Sequence, residues 1–178
     1  NYTANLSETS EEKIQRFKNL NLEVLSTYSK IFPNIILGLS DHTLSNTSVI
    51  ISIAKYKCKF IEKHFTLDNN SEGPDHPFSM NPANWKNMVD NVRNLETQVS
   101  GNKDVNIDEI IKDLVDDPDF IECFKGDGIK KIEKNELDTS MIQRRGIYIN
   151  QDLEKGTIIE KKHLKYLRPI VQGGINPY

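Results

Sequence analysis

The sequence predicts an α/β fold, in which a strand, a helix and a second strand follow one another and a smaller β-rich module comes later. Residues 35–39 form an unalternating apolar run, which is typical of a strand buried on both faces of a parallel sheet. Apolar residues at helical spacing follow the polar cluster at 45–47, and a second strand-like run covers 59–66. Since crossovers between parallel strands are right-handed, both strands end at one edge of the sheet. Open α/β sheets and (β/α)₈ barrels build their sites at that edge.

The segments on either side of this unit are predicted to be helices. Residues 11–31 carry apolar groups mostly at helical spacing, and Pro33 interrupts the pattern. Further along, Pro82 suits the first position of a long helix. Trp85 and Met88 lie on the apolar stripe of that helix, so we assign both to the core.

Charge and turn residues divide the rest of the chain. Residues 100–140 are strongly charged and carry one weak helical pattern, which indicates an interdomain linker. The acidic cluster within it lacks the order of ligands, glycine and final glutamate that a calcium loop requires. Short alternating runs around a turn at 155–156 predict a β-rich module too short for a stable core. We therefore expect three regions with the bounds 1–99, 100–140 and 141–178.

The overall composition excludes several classes of protein. The chain has 178 residues, and its 23 Lys and Arg are outnumbered by 26 Asp and Glu, which argues against nucleic-acid binding. It has no apolar run long enough to cross a membrane and no signal-peptide pattern. With only Cys58 and Cys123, a disulfide framework is excluded and a cytoplasmic location is expected. Because the chain starts at Asn1 rather than Met, we expect it to be a piece of a longer polypeptide.

Two histidines occupy matched positions at the ends of the two predicted strands. His42 follows the first strand, and His64 lies near the end of the second. Neighbouring strands are about 4.8 Å apart, so the two imidazoles are expected side by side. They could hold a divalent metal such as Mn²⁺, Fe²⁺ or Zn²⁺ that polarises a substrate carbonyl. The alternative is that each histidine is hydrogen-bonded at a strand end and has a structural role only.

Two carboxylates lie close to these histidines in the sequence. Glu62 shares a strand face with His64 on a two-residue repeat, so it could orient a ligand histidine. Asp75 follows a Gly-Pro pair in the loop after the second strand, where it could hang over the mouth of the site. It is our candidate catalytic carboxylate, suited to sugar hydroxyls or to a proton transfer. An ordinary surface loop is the alternative.

Hydroxyls and arginines supply candidate anion ligands. Ser40 and Thr43 flank the first histidine and could donate hydrogen bonds to a phosphate or a carboxylate. Both residue types also serve as helix and turn caps. Arg144 and Arg145 suit bidentate binding of an anion, or else form a basic turn on the surface.

The same residues carry a resemblance to a known family. Five motifs occur in one order: GLSDHT at 38–43, IEKHFTLD at 61–68, EGPDH at 72–76, RRxI at 144–147 and LxxxRP at 164–169. Together they resemble the C-terminal part of the sialic acid synthase family, which includes N-acetylneuraminate, legionaminate and pseudaminate synthases. The resemblance is dense over 35–99, moderate over 144–178 and poor over 100–140.

This resemblance implies a fold and an activity. The fold is the C-terminal portion of a (β/α)₈ TIM barrel followed by a small SAF (antifreeze-like) domain, here incomplete. The activity is the condensation of phosphoenolpyruvate with an N-acetylated hexosamine, which gives a nine-carbon sialic-type acid and phosphate. The resemblance also implies that His42 and His64 bind the divalent metal, for which we expect Mn²⁺.

The resemblance further implies substrate contacts. Asp75 corresponds to a carboxylate that contacts the amino sugar, and Ser40 to a hydroxyl that binds phosphoenolpyruvate. Arg145 corresponds to an arginine that the SAF domain of a partner subunit inserts into the site, so a domain-exchanged homodimer is implied. Asn1 and Tyr2 correspond to an Asn/Tyr pair that contacts the sugar.

The chain also departs from the family pattern. Thr3 replaces an expected proline, and Gly146 replaces a serine. Lys57 and Cys58 stand where Gly-Ala is common, which removes a helix C-cap glycine. The first six strands, with the catalytic glutamate and the phosphate-binding lysines, have no counterpart in the sequence. A barrel cannot close from two strands, so we expect the isolated chain to be inactive.

Two other functions fit the same residues. A non-catalytic amino-sugar-binding protein would keep the fold and lack the catalytic glutamate. Another metal-dependent, aldolase-type barrel enzyme would act on sugar phosphates. Release of phosphate from phosphoenolpyruvate in the presence of an N-acetylhexosamine distinguishes the synthase from both.

Overall fold

The structure is a computed structural model that describes residues 10–101 and 105–177. The chain divides into two compact units, one ending at Lys130 and the other beginning at Lys131. Among the described residues, no helix is both long and apolar enough to span a membrane.

The first unit begins with two helices where the sequence predicted one. α1 covers Ser10–Leu20 and α2 covers Glu23–Ile31. They are separated at Asn21, whose φ of 47° is left-handed, a conformation that asparagine tolerates better than most residues. The Asn21 side chain accepts a hydrogen bond from the backbone N–H of Gly128 at 2.8 Å. The helix break is therefore held by a segment more than a hundred residues away in sequence.

The predicted strand–helix–strand unit is confirmed. β1 (Gly38–Asp41) and β2 (Phe60–Lys63) pair in parallel, and α3 (Thr47–Ala54) connects them. The first strand starts at Gly38, which is later than predicted. Ile35 and Ile36 precede the strand, and their side chains are 54% and 70% exposed.

Two further helices complete the first unit. α4 covers Pro82–Gly101, and α5 covers Ile107–Leu114. The assignment of Met88 to the core is confirmed, since it is buried, and Trp85 packs partly buried beside it. Short 3₁₀ turns occupy His76–Phe78 and Pro118–Phe124.

The region expected to be a charged linker differs from that expectation. Ile111 and Phe124 are fully buried, and the Phe124 ring stacks on Phe17 of α1 with the centroids 4.2 Å apart. The acidic cluster contributes as well, because an Asp116 carboxylate oxygen accepts a hydrogen bond from the backbone N–H of Asn46 at 2.9 Å. Residues 105–130 therefore belong to the first unit, and the division of the chain falls after Lys130 rather than at residues 100 and 140.

The second unit is small and contains the β-rich module. β3 (Gly146–Ile149) and β4 (Leu164–Leu167) pair antiparallel. α6 (Leu137–Gln143) precedes them, and Gly156 adopts a φ of 93° in the predicted turn. The 3₁₀ turns of this unit are Lys134–Glu136 and Lys161–His163.

Candidate functional site

The two predicted metal-binding histidines lie side by side. β1 and β2 are in register so that Asp41 pairs with Lys63, and each of these residues directly precedes one histidine. The imidazole centroids of His42 and His64 are 4.9 Å apart, with the ring planes inclined by 48°. The expectation that both rings stand at the same height at one edge of the sheet is met.

This ring separation fits a shared cation. Two imidazoles that bind one ion through nitrogens at about 2.1 Å have centroids roughly 4.6 to 5.3 Å apart, for ligand angles between octahedral and tetrahedral. The observed 4.9 Å falls inside that range. Over residues 10–101 and 105–177, no group of three or more His, Cys, Asp or Glu converges as a metal site. A cation held by these two residues alone would keep coordination positions open for a substrate or for water.

The charge state of His42 also suits a metal ligand. Burial lowers the pKa of His42 from its ordinary value, and the neighbouring His64 lowers that pKa further. The carboxylates of Asp41 and Glu62 oppose this shift. His42 is therefore favoured as a neutral imidazole, which is the form that binds metals.

Phe78, which was not predicted to be part of the site, covers one side of the histidine pair. Phe78 is buried, and its ring lies 5.0 Å from that of His64 and 6.0 Å from that of His42. The His64 contact is edge-to-face, with an interplanar angle of 71°. Phe78 lies in a polar loop without strand or helix periodicity, so its spacing gave no signal.

Asp75 lies in the loop after β2, at the distance of a weak ion pair. One of its carboxylate oxygens is 3.9 Å from Nδ1 of His64, and its side chain is 61% exposed. The loop is closed where it begins and ends, because Met80 donates its backbone N–H to the His64 carbonyl at 2.8 Å and accepts one from Thr66 at 3.0 Å. Asn69 stiffens the interior by donating its side-chain amide to the carbonyls of His76 and Ser79, at 2.8 and 2.7 Å.

Ser40 and Glu62 form a cross-strand pair on the exposed face of the sheet. The Ser40 hydroxyl donates to the Glu62 carboxylate at 2.8 Å. Glu62 was expected to orient a ligand histidine, and the contact it makes here is to Ser40 instead. Ser40 is exposed and remains accessible to a ligand.

Thr43 is not placed to donate a hydrogen bond to a substrate anion. Its side chain is buried, and its hydroxyl donates to Asp41 at 3.1 Å. Together with the ammonium group of Lys63, these residues form a buried network directly behind the histidines. This network was not predicted, although Asp41 and Lys63 were a usable signal, since they carry opposite charges and directly precede the two histidines.

Four predicted substrate ligands remain: Arg144, Arg145, Asn1 and Tyr2. Arg144 and Arg145 belong to the second unit, and both are exposed. Asn1 and Tyr2 lie outside the described residues, so their predicted sugar contact stays a prediction.

The matches of this chain to known proteins agree with the motifs. A sequence model described as the NeuB family matches residues 12–104. The chain belongs to the NeuB family. Its recognition as a member of the sialic acid synthase family is thereby confirmed, and the SAF assignment stays a prediction.

Several relatives of this NeuB-family chain are synthases by name. It is 33% identical to an N,N'-diacetyllegionaminic acid synthase of Legionella pneumophila, over 86% of the chain and 35% of that protein. It is 38% identical to the human N-acetylneuraminate-9-phosphate synthase, over 44% of the chain and 22% of that protein. The crystal structure of the Bacillus subtilis spore coat polysaccharide biosynthesis protein SpsE superposes with a TM-score of 0.66 at 28% identity, covering 85% of this chain and 39% of that one. The structural match supports an α/β fold that is part of a TIM-barrel-like synthase.

The NeuB-family chain spans about a third of the length of the legionaminic acid synthase, 35%. It therefore carries one portion of the fold that such relatives possess in full.

Proposed function

We propose that the full-length protein carrying this chain condenses phosphoenolpyruvate with an N-acetylated hexosamine to give a sialic-type nonulosonic acid and inorganic phosphate. The observation that carries the proposal is the His42–His64 pair, with its rings 4.9 Å apart at the ends of two parallel strands of a NeuB-family chain. The names of the relatives, which are synthases of legionaminic and N-acetylneuraminic acids, support the same activity.

In this reaction, the π electrons of the C2=C3 bond of phosphoenolpyruvate form a bond from C3 to the aldehyde carbon of the open-chain sugar, whose oxygen takes a proton and becomes a hydroxyl. Water adds at C2, one of its protons goes to that hydroxyl, and the bond from C2 to the phosphate oxygen breaks. Inorganic phosphate leaves with the second proton, and C2 becomes the keto carbon. A divalent cation, for which Mn²⁺ is our proposal, supplies Lewis-acid polarisation of the aldehyde oxygen when bound. His42 and His64 would hold it, each through one imidazole nitrogen.

The neighbouring side chains bind and orient the substrates. Asp75 is exposed in the loop beside His64, so its carboxylate can accept hydrogen bonds from the amino sugar. The Ser40 hydroxyl exchanges its bond to Glu62 for one to phosphoenolpyruvate. Arg145 reaches the site of a partner subunit through domain exchange in a homodimer, and a planar guanidinium suits a carboxylate or phosphate. The proposed location of the enzyme is the cytoplasm.

The isolated 178-residue chain is not expected to catalyse this condensation. β1 and β2 pair only with each other in the described part of the chain, and closing a barrel takes more strands than these.

Substitution of either metal-binding histidine tests the function. His42→Ala and His64→Ala, each in the full-length protein, are expected to abolish Mn²⁺-dependent release of phosphate from phosphoenolpyruvate and an N-acetylhexosamine. His163→Gln is the matched control, because it also removes an imidazole but lies in the second unit, and glutamine keeps an acceptor for the backbone N–H of Glu160. Unchanged turnover in both alanine variants would refute the proposal. If the unaltered protein binds the sugar but releases no phosphate, it is a sugar-binding protein rather than a synthase.

A further inference from the structure

A buried ion pair lies directly behind the two histidines. Asp41 and Lys63 are register partners at the ends of β1 and β2, one residue before His42 and His64 respectively. The Lys63 ammonium nitrogen is 2.6 Å from an Asp41 carboxylate oxygen, and the two side chains are 1% and 0% exposed. Successive side chains of a strand point to opposite faces of the sheet. The ion pair therefore lies on the buried, inner face, and the imidazoles project from the more exposed, outer face.

The ion pair also fixes the loop that carries His42. The Lys63 ammonium group donates to the backbone carbonyls of Thr43 and Ser45, at 2.7 and 3.0 Å. The Asp41 carboxylate accepts from the backbone N–H of Thr43 at 2.9 Å and from the Ser48 hydroxyl. The segment from Asp41 to Ser45 is thus tied to β2, the strand that His64 directly follows.

Stability alone does not account for such a pair. Removing two charges from water costs about as much as their attraction returns, and apolar side chains of similar volume are often equally stable there. A polar network does, however, fix one register, and a slip of one residue in a strand would turn each side chain to the other face. Here a slip would remove one imidazole from the outer face.

We propose that Asp41 and Lys63 are positioning residues, which hold the two imidazoles at the separation at which they can share one cation. This inference rests on the metal binding of the proposed function. Both side chains of the ion pair are buried, and the pair acts through the backbone of the two residues that follow it. In the metal-free protein it keeps the two imidazoles assembled, so that binding requires no rearrangement of the strand ends.

The decisive variant removes both charges at once. Asp41→Leu combined with Lys63→Met leaves no unpaired buried charge, so the full-length protein is expected to fold. Its Mn²⁺ affinity, measured by titration calorimetry, is expected to fall roughly 10- to 100-fold, as when other groups that orient metal ligands are lost. Crystals of the metal-free variant are expected to show the His42 and His64 centroids displaced from their 4.9 Å separation.

A matched control separates positioning from general stability. Lys13→Met combined with Asp117→Leu removes another Lys–Asp pair of the same unit, 2.8 Å long, which ties α1 to a 3₁₀ turn. This control is expected to keep the Mn²⁺ affinity of the unaltered protein. If the first double variant does not fold, Asp41→Asn combined with Lys63→Gln decides, because it also leaves no unpaired buried charge and keeps polar groups that can hydrogen-bond. The same loss of affinity is expected there, but a smaller one.

Two outcomes overturn the inference. A folded Asp41→Leu/Lys63→Met protein with unchanged centroid separation would do so, as would unchanged Mn²⁺ affinity. Failure of the proposed function is recognised separately, since the unaltered protein would then not bind Mn²⁺ through His42 and His64. The centroid separation in the metal-free crystals still tests the positioning role in that case.

Discussion

The ends of β1 and β2 place neighbouring residues in opposite environments. Asp41 and Lys63 are buried, while the histidines that follow them are only partly covered. The alternation of side chains along a strand explains this contrast. Each strand end therefore needs a residue that tolerates burial with a partner, followed by one that can bind a ligand. Exchanging Asp41 with His42, or Lys63 with His64, would place an imidazole in the core and a charge in the candidate site.

The cysteines provide a prediction at the residue scale. Burial raises the pKa of the Cys58 thiol, with a hydrogen bond involving Ser52 acting in the opposite direction. Cys58 is 4% exposed, whereas Cys123 is partly exposed. Because the thiolate is the reacting species, iodoacetamide at mildly alkaline pH is expected to alkylate Cys123 well before Cys58. Peptide mass spectrometry over time measures both rates. Equal rates in the folded protein would contradict the prediction, and urea-unfolded protein, where both react, is the control.

The candidate site was predictable where spacing alone decides position. His42 and His64 follow strands that pair in parallel, so their adjacency followed from sequence. The burial of Thr43 did not, because it depends on Asp41 and Lys63 making a network across two strands. Hydroxyls suit both caps and ligands, and only the fold decides which role they take.

Element boundaries depended on contacts that no local pattern contains. The apolar spacing of residues 11–31 is continuous, yet the helix breaks at Asn21, which accepts a hydrogen bond from Gly128. At Gly126, a Cβ would lie only 2.4 Å from the Asn21 side chain, so that close approach requires glycine. Such a pairing of distant turns is visible only when the chain is folded.

Lys57 gives a prediction at the scale of one element. It follows α3 with a φ of 59°, a left-handed conformation that costs a residue with a Cβ about 1 kcal/mol relative to glycine. Glycine is also the residue that the family pattern favours at this position. Lys57→Gly is therefore expected to raise the free energy of unfolding by roughly 1 kcal/mol, reduced by loss of the partly buried hydrogen bond from Lys57 to the Ala54 carbonyl. Urea denaturation measures the change.

The control makes the same substitution inside a helix. Lys18→Gly in α1 is expected to lower the free energy of unfolding by about 1 kcal/mol, because glycine is a poor helix former. Destabilisation in both variants would show that the left-handed conformation at Lys57 carries no cost.

At the scale of the molecule, amino-acid composition led to a wrong structural prediction for residues 105–130. Their charged residues suggested a linker, but Ile110, Ile111 and Leu114 form one buried face of α5. That face packs into a core built from α1, α3 and α4, and a short amphipathic helix gives only a weak pattern on its own. Net charge describes the solvent side of such a helix and says little about its other face.

The division between the units predicts where proteolysis begins. Lys130 and Lys131 are exposed and lie outside any helix or strand, at the boundary of the two units. Limited trypsin digestion is expected to cut there before it cuts at Lys86, which is exposed but held in α4. N-terminal sequencing of the first fragments checks this order. Early cleavage within α4 would contradict it, and the Lys130→Gln/Lys131→Gln variant is expected to delay the first cut.

The closed loop after β2 has a consequence for how such a protein can change over generations. The bonds between Met80 and the residues at the loop's entrance, with the Asn69 amide inside it, hold the loop without using the side chains of 71–75. Those five residues are all exposed, so substitutions there cost little stability except at Gly73, whose φ of 146° favours glycine. Selection can therefore alter the chemical character of the loop while the strand ends stay fixed. One scaffold can in this way give rise to a lineage of proteins whose loops differ.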